Sequence, residues 1–94
     1  MYLHLGQSAV VSQRSIIGIF DLDHTSVSAR TRRLLDLAEK EGRVVSVSED
    51  LPKSFVLCGE EKGPSVVYLS QLSTATLRGR AERLGFTAEE TAVN

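Results

Sequence analysis

Two carboxylates spaced two residues apart, Asp21 and Asp23, close the apolar run Ile16-Ile17-Gly18-Ile19-Phe20-Asp21-Leu22-Asp23-His24-Thr25-Ser26. By type and spacing they are the residues here best suited to catalysis. Residues i and i+2 of an extended strand point to the same side, so one carboxylate could attack as nucleophile while the other acts as general acid–base. His24 beside Asp23 offers a metal or acid–base pair instead. The chain has just one other histidine, His4, which falls on a different predicted strand. A histidine at a helix entrance serves more simply as a capping or surface group. Cys58 ends the apolar run Phe55-Val56-Leu57 and reads as a small buried hydrophobe rather than a catalytic thiol. As the single cysteine it leaves no internal disulfide and fits a reducing compartment. The sequence contains no Ser/His/Asp spacing, glycine-rich phosphate loop or zinc-ligand pattern.

The Asp-x-Asp-x-Thr ending of that run resembles the first motif of the haloacid-dehalogenase phosphatases. Such an enzyme also needs Mg²⁺ held by carboxylates late in its fold, and a cation to neutralise the phosphoryl group. The other aspartates are Asp36 and Asp50, and no later predicted strand ends in an acidic cluster. A doubly wound fold takes several βαβ units of about 30 residues each, against 94 residues here. The expectation is therefore a non-enzyme with no cofactor, no metal and no catalytic residues. A phosphatase fragment is the last of the alternatives.

The elements that must position any site come next. Ninety-four residues make one domain, which buries about 60–65% of its unfolded surface and is marginal alone. Apolar residues at 41% and charged residues at 24% suit a soluble globular protein. His4, Gly6, Gln7 and Ser8 interrupt the N-terminus before a signal-peptide core forms. No apolar run reaches the ~18 residues of a membrane helix. A cytoplasmic protein without a membrane partner is expected.

Short strands are predicted at Tyr2–Leu5 and Ala9–Ser12 about a turn at Gly6-Gln7-Ser8. The strand Ile16–Leu22 should be central or covered on both sides. Thr25 or Ser26 then caps a helix whose stripe is Val27, Thr31, Leu34, Leu35 and Ala38, with Gly42 as its stop. Arg43–Ser48 reads as a strand, Glu49–Lys53 as a loop or bulge, and Ser54–Cys58 as the strand resumed. A polar turn at Gly59–Pro64 leads to a return strand, Ser65–Ser70. Ser73 caps a last helix with Leu77, Ala81 and Leu84 on one face and Gly85 at its end. This order gives an α+β domain, an antiparallel or mixed sheet of about five or six short strands with a pair of α-helices. The domain spans residues 1–86, and 87–94 form a frayed tail.

Charge is segregated although the net is only −1. Residues 1–33 balance at +2 and residues 34–50 at −3, a basic patch beside an acidic one. Arg30, Arg32 and Arg33 lie in the first half of a helix, where the macrodipole disfavours cations. They are either a solvated face partnered by Asp36 and Glu39 or bidentate phosphate ligands. Arg78, Arg80 and Arg83 form a second basic face on the last helix. With no aromatics beside these arginines, stacking on single strands is not expected. The candidate DNA-binding set is Arg14, Arg30, Arg32, Arg33 and Lys53, read as one basic surface repeated around an oligomer, with duplex DNA as candidate partner. The strands Tyr2–Leu5 and Ser65–Ser70 carry few charges to blunt a sheet edge, so homo-oligomerisation is expected.

Taken in order, Met1-Tyr-Leu-His-Leu-Gly6, Ile16-Ile-Gly-Ile-Phe-Asp-Leu22 with Thr25-Ser26, Val44 to Leu57, and Ser70-Gln-Leu-Ser-Thr-Ala-Thr-Leu77 resemble the RemA/RemB family of small bacterial biofilm-matrix regulators. The opening is most similar to the RemB branch. The resemblance implies a cytoplasmic regulator from spore-forming or related Gram-positive-type bacteria. In the RemA branch it implies rings that bind promoter DNA and activate matrix operons. That branch carries an arginine directly before its Ile-Ile strand, where this chain has Ser15 with Arg14 one residue off. Its arginine pair after the fourth strand corresponds here to Leu51 and Pro52, leaving Lys53 as the cation. The leading reading is a non-enzymatic oligomeric regulator of matrix genes with DNA as candidate partner; the alternative is a protein-interaction module that never touches DNA. If Asp21 is a turn-forming residue, Asp21→Asn leaves the regulatory phenotype intact and the protein releases no phosphate with Mg²⁺. Phosphate release abolished by that substitution would overturn the non-enzyme reading.

Overall fold

The uncharged stretch Ser54–Cys58 lies inside a sheet because both of its faces have apolar surface to bury. The computed structural model describes residues 2–7, 9–22, 28–59 and 63–83. Among them the chain forms β1 (Tyr2–Gly6), β2 (Ala9–Ser12), β3 (Ile16–Asp21), α1 (Ala29–Lys40), β4 (Val44–Ser46), β5 (Ser54–Cys58), β6 (Val66–Ser70) and α2 (Thr74–Arg83). A 3-10 turn at Gln13–Ser15 joins β2 to β3. The fold is α+β, with β1 and β2 as a hairpin and the other strands as one sheet in the order β3-β5-β6-β4. That sheet is mixed: β5 runs antiparallel to β3 and β6, and β4 runs parallel to β6.

Two expectations about strands are corrected. Ser54–Cys58 does not resume the strand at Val44, since β6 lies between β5 and β4. Nor is Ser65–Ser70 an exposed edge. The α1 crossover brings the chain back parallel to β3, as parallel pairing requires, and lays β4 along the outside of β6. The edges of the sheet are β3 and β4.

Side-chain alternation along β5 sends Val56 and Cys58 to one face and Phe55 and Leu57 to the other. The first face packs with Leu3, Leu5 and Val11 of the hairpin and with Leu77 and Ala81 of α2. The second packs with Leu35 and Ala38 of α1, and there Phe20 stacks on Phe55 at 4.8 Å between ring centroids. Gly18 leaves room for that stack, because a Cβ there would lie 2.7 Å from the Phe20 ring. In β3 the register slips between Ile16 and Gly18. This bulge puts Ile16 and Ile19, three residues apart, into one cluster and leaves Ile17 38% exposed.

The helix ends follow local chemistry. α1 is capped by Ser28, whose Oγ accepts from the Thr31 N–H at 3.1 Å, rather than by Thr25 or Ser26. Those two residues lie outside the described ones, as do Val27, Leu84, Gly85 and the tail. The rest of the expected stripe, Thr31, Leu34, Leu35 and Ala38, faces inward. At the far end Gly42 takes φ +71°, while the N–H of Arg43 donates to Ala38 O and that of Gly42 to Glu39 O. This is a Schellman closure, which a side chain at that φ would strain.

Ser54 and Ser70 are register partners and both are 0% exposed. Ser70 Oγ donates to Leu5 O at 2.6 Å and accepts from the Leu72 N–H at 3.0 Å. Ser54 Oγ donates to Leu72 O at 2.7 Å. Two hydroxyls thus tie the hairpin, the sheet and the turn before α2 together. Removing one leaves buried backbone groups unpaired. Ser70→Ala is expected to cost about 1–3 kcal/mol in urea unfolding. Ser48→Ala, which removes an acceptor for the Asp50 N–H in an exposed turn, should cost under about 0.5 kcal/mol.

Candidate functional site

The ladder of β3, β5 and β6 has two ends. At one, Asp21 pairs with Ser54 and Ser54 with Ser70; at the other, Ile16 pairs with Cys58 and Cys58 with Val66. Lys53 precedes β5 at the Ser54 end, where the Leu22 N–H donates to its carbonyl. Because α1 carries the chain from the end of β3 to the start of β4, its N-terminal half, with Arg30, Arg32 and Arg33, lies toward that same end. Arg14 lies in the 3-10 turn at the Cys58 end, where the Gly59 N–H donates to Ser15 O. The strand between makes the two ends about 17 Å apart. The structure therefore gathers Arg30, Arg32, Arg33 and Lys53 toward one end and leaves Arg14 at the other.

All five cations are exposed. None makes an ion pair with another described residue, Asp36 and Glu39 included. The three helix arginines fan out rather than line up. At about 100° per residue, Arg30, Arg33 and Lys40 share one flank with Leu37, which is 51% exposed. Arg32 lies on the opposite flank, with Asp36 and Glu39. Two other arginines are held by neighbours. Arg43 donates from Nη1 to Ser65 O at 2.6 Å and from Nε to Glu41 Oε1 at 2.8 Å. Arg80 Nη1 donates to His4 O at 3.4 Å, joining α2 to β1.

The segment from Val47 to Lys53 crosses the Ser54 end between β4 and β5. Both of its ends are fixed to β6, through Val47 N–H to Leu69 O at 2.9 Å and Lys53 N–H to Ser70 O at 2.8 Å. Asp50 N–H donates to Ser48 Oγ at 3.0 Å, and Pro52 fixes its own φ. At the tip Leu51 is 86% exposed between exposed Asp50 and the proline. An open groove of about 1000 Å³ runs between this loop and Gln7. Sequence reasoning assigns the loop but not this display of a leucine; the available signal was an apolar residue between two acids and a proline.

Among the candidates for chemistry, Asp21 is half-buried opposite Ser54, and Asp23 and His24 lie outside the described residues. His4 is exposed on the outer face of the hairpin. Among the described residues no three His, Cys, Asp or Glu side chains are grouped to hold a metal ion. No described helix is long and apolar enough to cross a membrane. Cys58 is buried, and its desolvation raises the thiol pKa above the ordinary 9.0 despite a hydrogen bond with Ser15 that lowers it. A thiol so held is a poor nucleophile.

Residues 2–81 match the family described as RemA-like, extracellular matrix regulatory protein A-like. Extracellular matrix regulatory protein B of Bacillus subtilis (strain 168) is 37% identical over 82 residues, covering 87% of this chain and 91% of that protein.

Cys58 gives a pH test of the packing. Because its pKa is raised on folding, its contribution to stability is complete below the ordinary value of 9.0 and is lost as pH rises through the folded pKa. Cys58→Ala should flatten the decline in urea midpoint above pH 9. In the folded protein a thiol reagent at pH 8 should modify Cys58 far more slowly than in urea. Equal rates would show that the site is open.

Proposed function

The chain belongs to the RemA-like family of extracellular matrix regulatory proteins, and from that premise we propose that it is a non-enzymatic, cytoplasmic, oligomeric regulator of matrix gene expression that contacts duplex DNA. The observation that carries the reading is the set of exposed, uncommitted cations gathered toward one end of the sheet. A few phosphate contacts per protomer bind weakly, and repetition around an oligomer raises avidity without any new contact. The contacts are drawn from Arg14, Arg30, Arg32, Arg33 and Lys53. Arg14 cannot reach the same stretch of backbone as Lys53 within one protomer, so it serves a neighbouring stretch.

A second reading is a module that binds protein alone. The specific observation in its favour is the loop itself, where exposed Glu49 and Asp50 stand close in sequence to Lys53 and repel phosphate. Salt dependence separates the two. Duplex binding should be measurable at ~50 mM salt and fall steeply as salt is added, with about 0.9 of log–log slope per phosphate contact. Arg32→Ala and Lys53→Ala should each reduce the slope by about that amount without changing oligomer mass. No binding at ~50 mM salt, at protein well above the ~10⁻⁶–10⁻⁴ M non-specific range, would leave the protein-interaction module.

A further inference from the structure

Two surfaces of this protein are built from matching parts of opposite sign. The loop between β4 and β5 presents Leu51, 86% exposed, beside the carboxylates of Glu49 and Asp50. The flank of α1 presents Leu37, 51% exposed, among Arg30, Arg33 and Lys40. Among the described residues no ion pair joins the loop acids Glu49 and Asp50 to Arg30, Arg33 or Lys40 of the same molecule. We infer that they meet between molecules: the Glu49-Asp50-Leu51 loop of one copy docks on the Arg30-Arg33-Leu37-Lys40 flank of α1 in a second copy.

The argument rests on three features. Each exposed leucine is an isolated apolar group that water solvates poorly, and each would be covered by the other. The charges around them are complementary, which fixes orientation and rejects like surfaces. The loop is also pinned to β6 at both ends, so little freedom is lost when it docks. A leucine amid three cations is a poor platform for a phosphate backbone and a good seat for an acidic, apolar knob. The assignment takes Arg30 and Arg33 out of the phosphate set and leaves Arg14, Arg32 and Lys53 to DNA. Because loop and flank are different patches, the contact repeats head to tail and can close a ring. The inference rests on the oligomeric reading proposed above.

A charge-swap experiment on the full-length chain tests it by light scattering. Glu49→Lys with Asp50→Lys makes both surfaces basic; Arg30→Glu with Arg33→Glu makes both acidic. Each variant alone should lose at least tenfold in association, and an equimolar mixture should recover assemblies holding both. Leu51→Ser, at a position the core does not use, should weaken association without changing the circular dichroism spectrum. If the wild type is an oligomer and the variants assemble unchanged, the inference fails while the oligomeric reading stands. A wild type of 10.3 kDa at micromolar concentration would overturn both. If Arg30→Glu with Arg33→Glu abolishes DNA binding at unchanged oligomer mass, the flank takes phosphate and not the loop.

Discussion

Two serine hydroxyls buried at one end of the sheet hold the rest of the molecule in place. Ser54 and Ser70 face each other across β5 and β6 where most strands carry valine, leucine or phenylalanine. A hydroxyl in such a place is unfavourable unless it is bonded. Here the bonds reach two other segments: β1 through Leu5 O, and the turn before α2 through the N–H and the carbonyl of Leu72. The hairpin and α2 share no strand pairing with the four-stranded sheet. Apolar packing presses them against it, and packing alone sets direction poorly. The serines supply the direction.

That anchoring end is also where Arg30, Arg32, Arg33 and the Val47–Lys53 loop lie, with Arg14 at the other end. The loop leaves β4, crosses to β5 and is tied to β6 on either side, so its shape is set by the same strands that carry the serines. Electrostatics then divides the surface. Arg43 and Arg80 hold elements together through carbonyl bonds, whereas the arginines at the start of α1 make no ion pair with another described residue. Exposed cations held against an unfavourable helix dipole, with no ion-pair partner among the described residues, suit an intermolecular surface.

Much of the fold was legible in the sequence because it depends on local rules. The helix stripe at Thr31, Leu34, Leu35 and Ala38 and the stop at Gly42 follow from periodicity and glycine chemistry. The antiparallel pairing of β5 with β6 follows from their closeness in the chain. The middle of the expected turn between them, residues 60–62, lies outside the described residues. What was not legible depends on pairing at a distance. Nothing local distinguishes Ser54–Cys58 as a strand of its own from the continuation of β4, since both orders put apolar residues on covered faces. The bulge in β3 breaks the two-residue alternation, so Ile16 and Ile19 read as opposite faces although they share one. Residue type alone marks the cations, but their split between the two ends of the ladder depends on the strand order. Leu51, 86% exposed, reads in the sequence like any other loop residue.

The position of β5 and β6 in the chain has a consequence for how the protein is made. Neither β3 nor β4 has a sheet partner earlier in the chain: β3 pairs with β5, and β4 with β6. A growing chain emerging at about 5–20 residues per second therefore carries the uncharged Ile16–Phe20 run with its backbone unpaired until residues beyond Ser54 appear. β5 and β6 pair antiparallel as chain neighbours and offer both of their outer edges at once, one to β3 and one to β4. Folding is thus templated from the C-terminal half backward. The Ile16–Phe20 segment is the part of the nascent chain that most needs protection from other chains during synthesis.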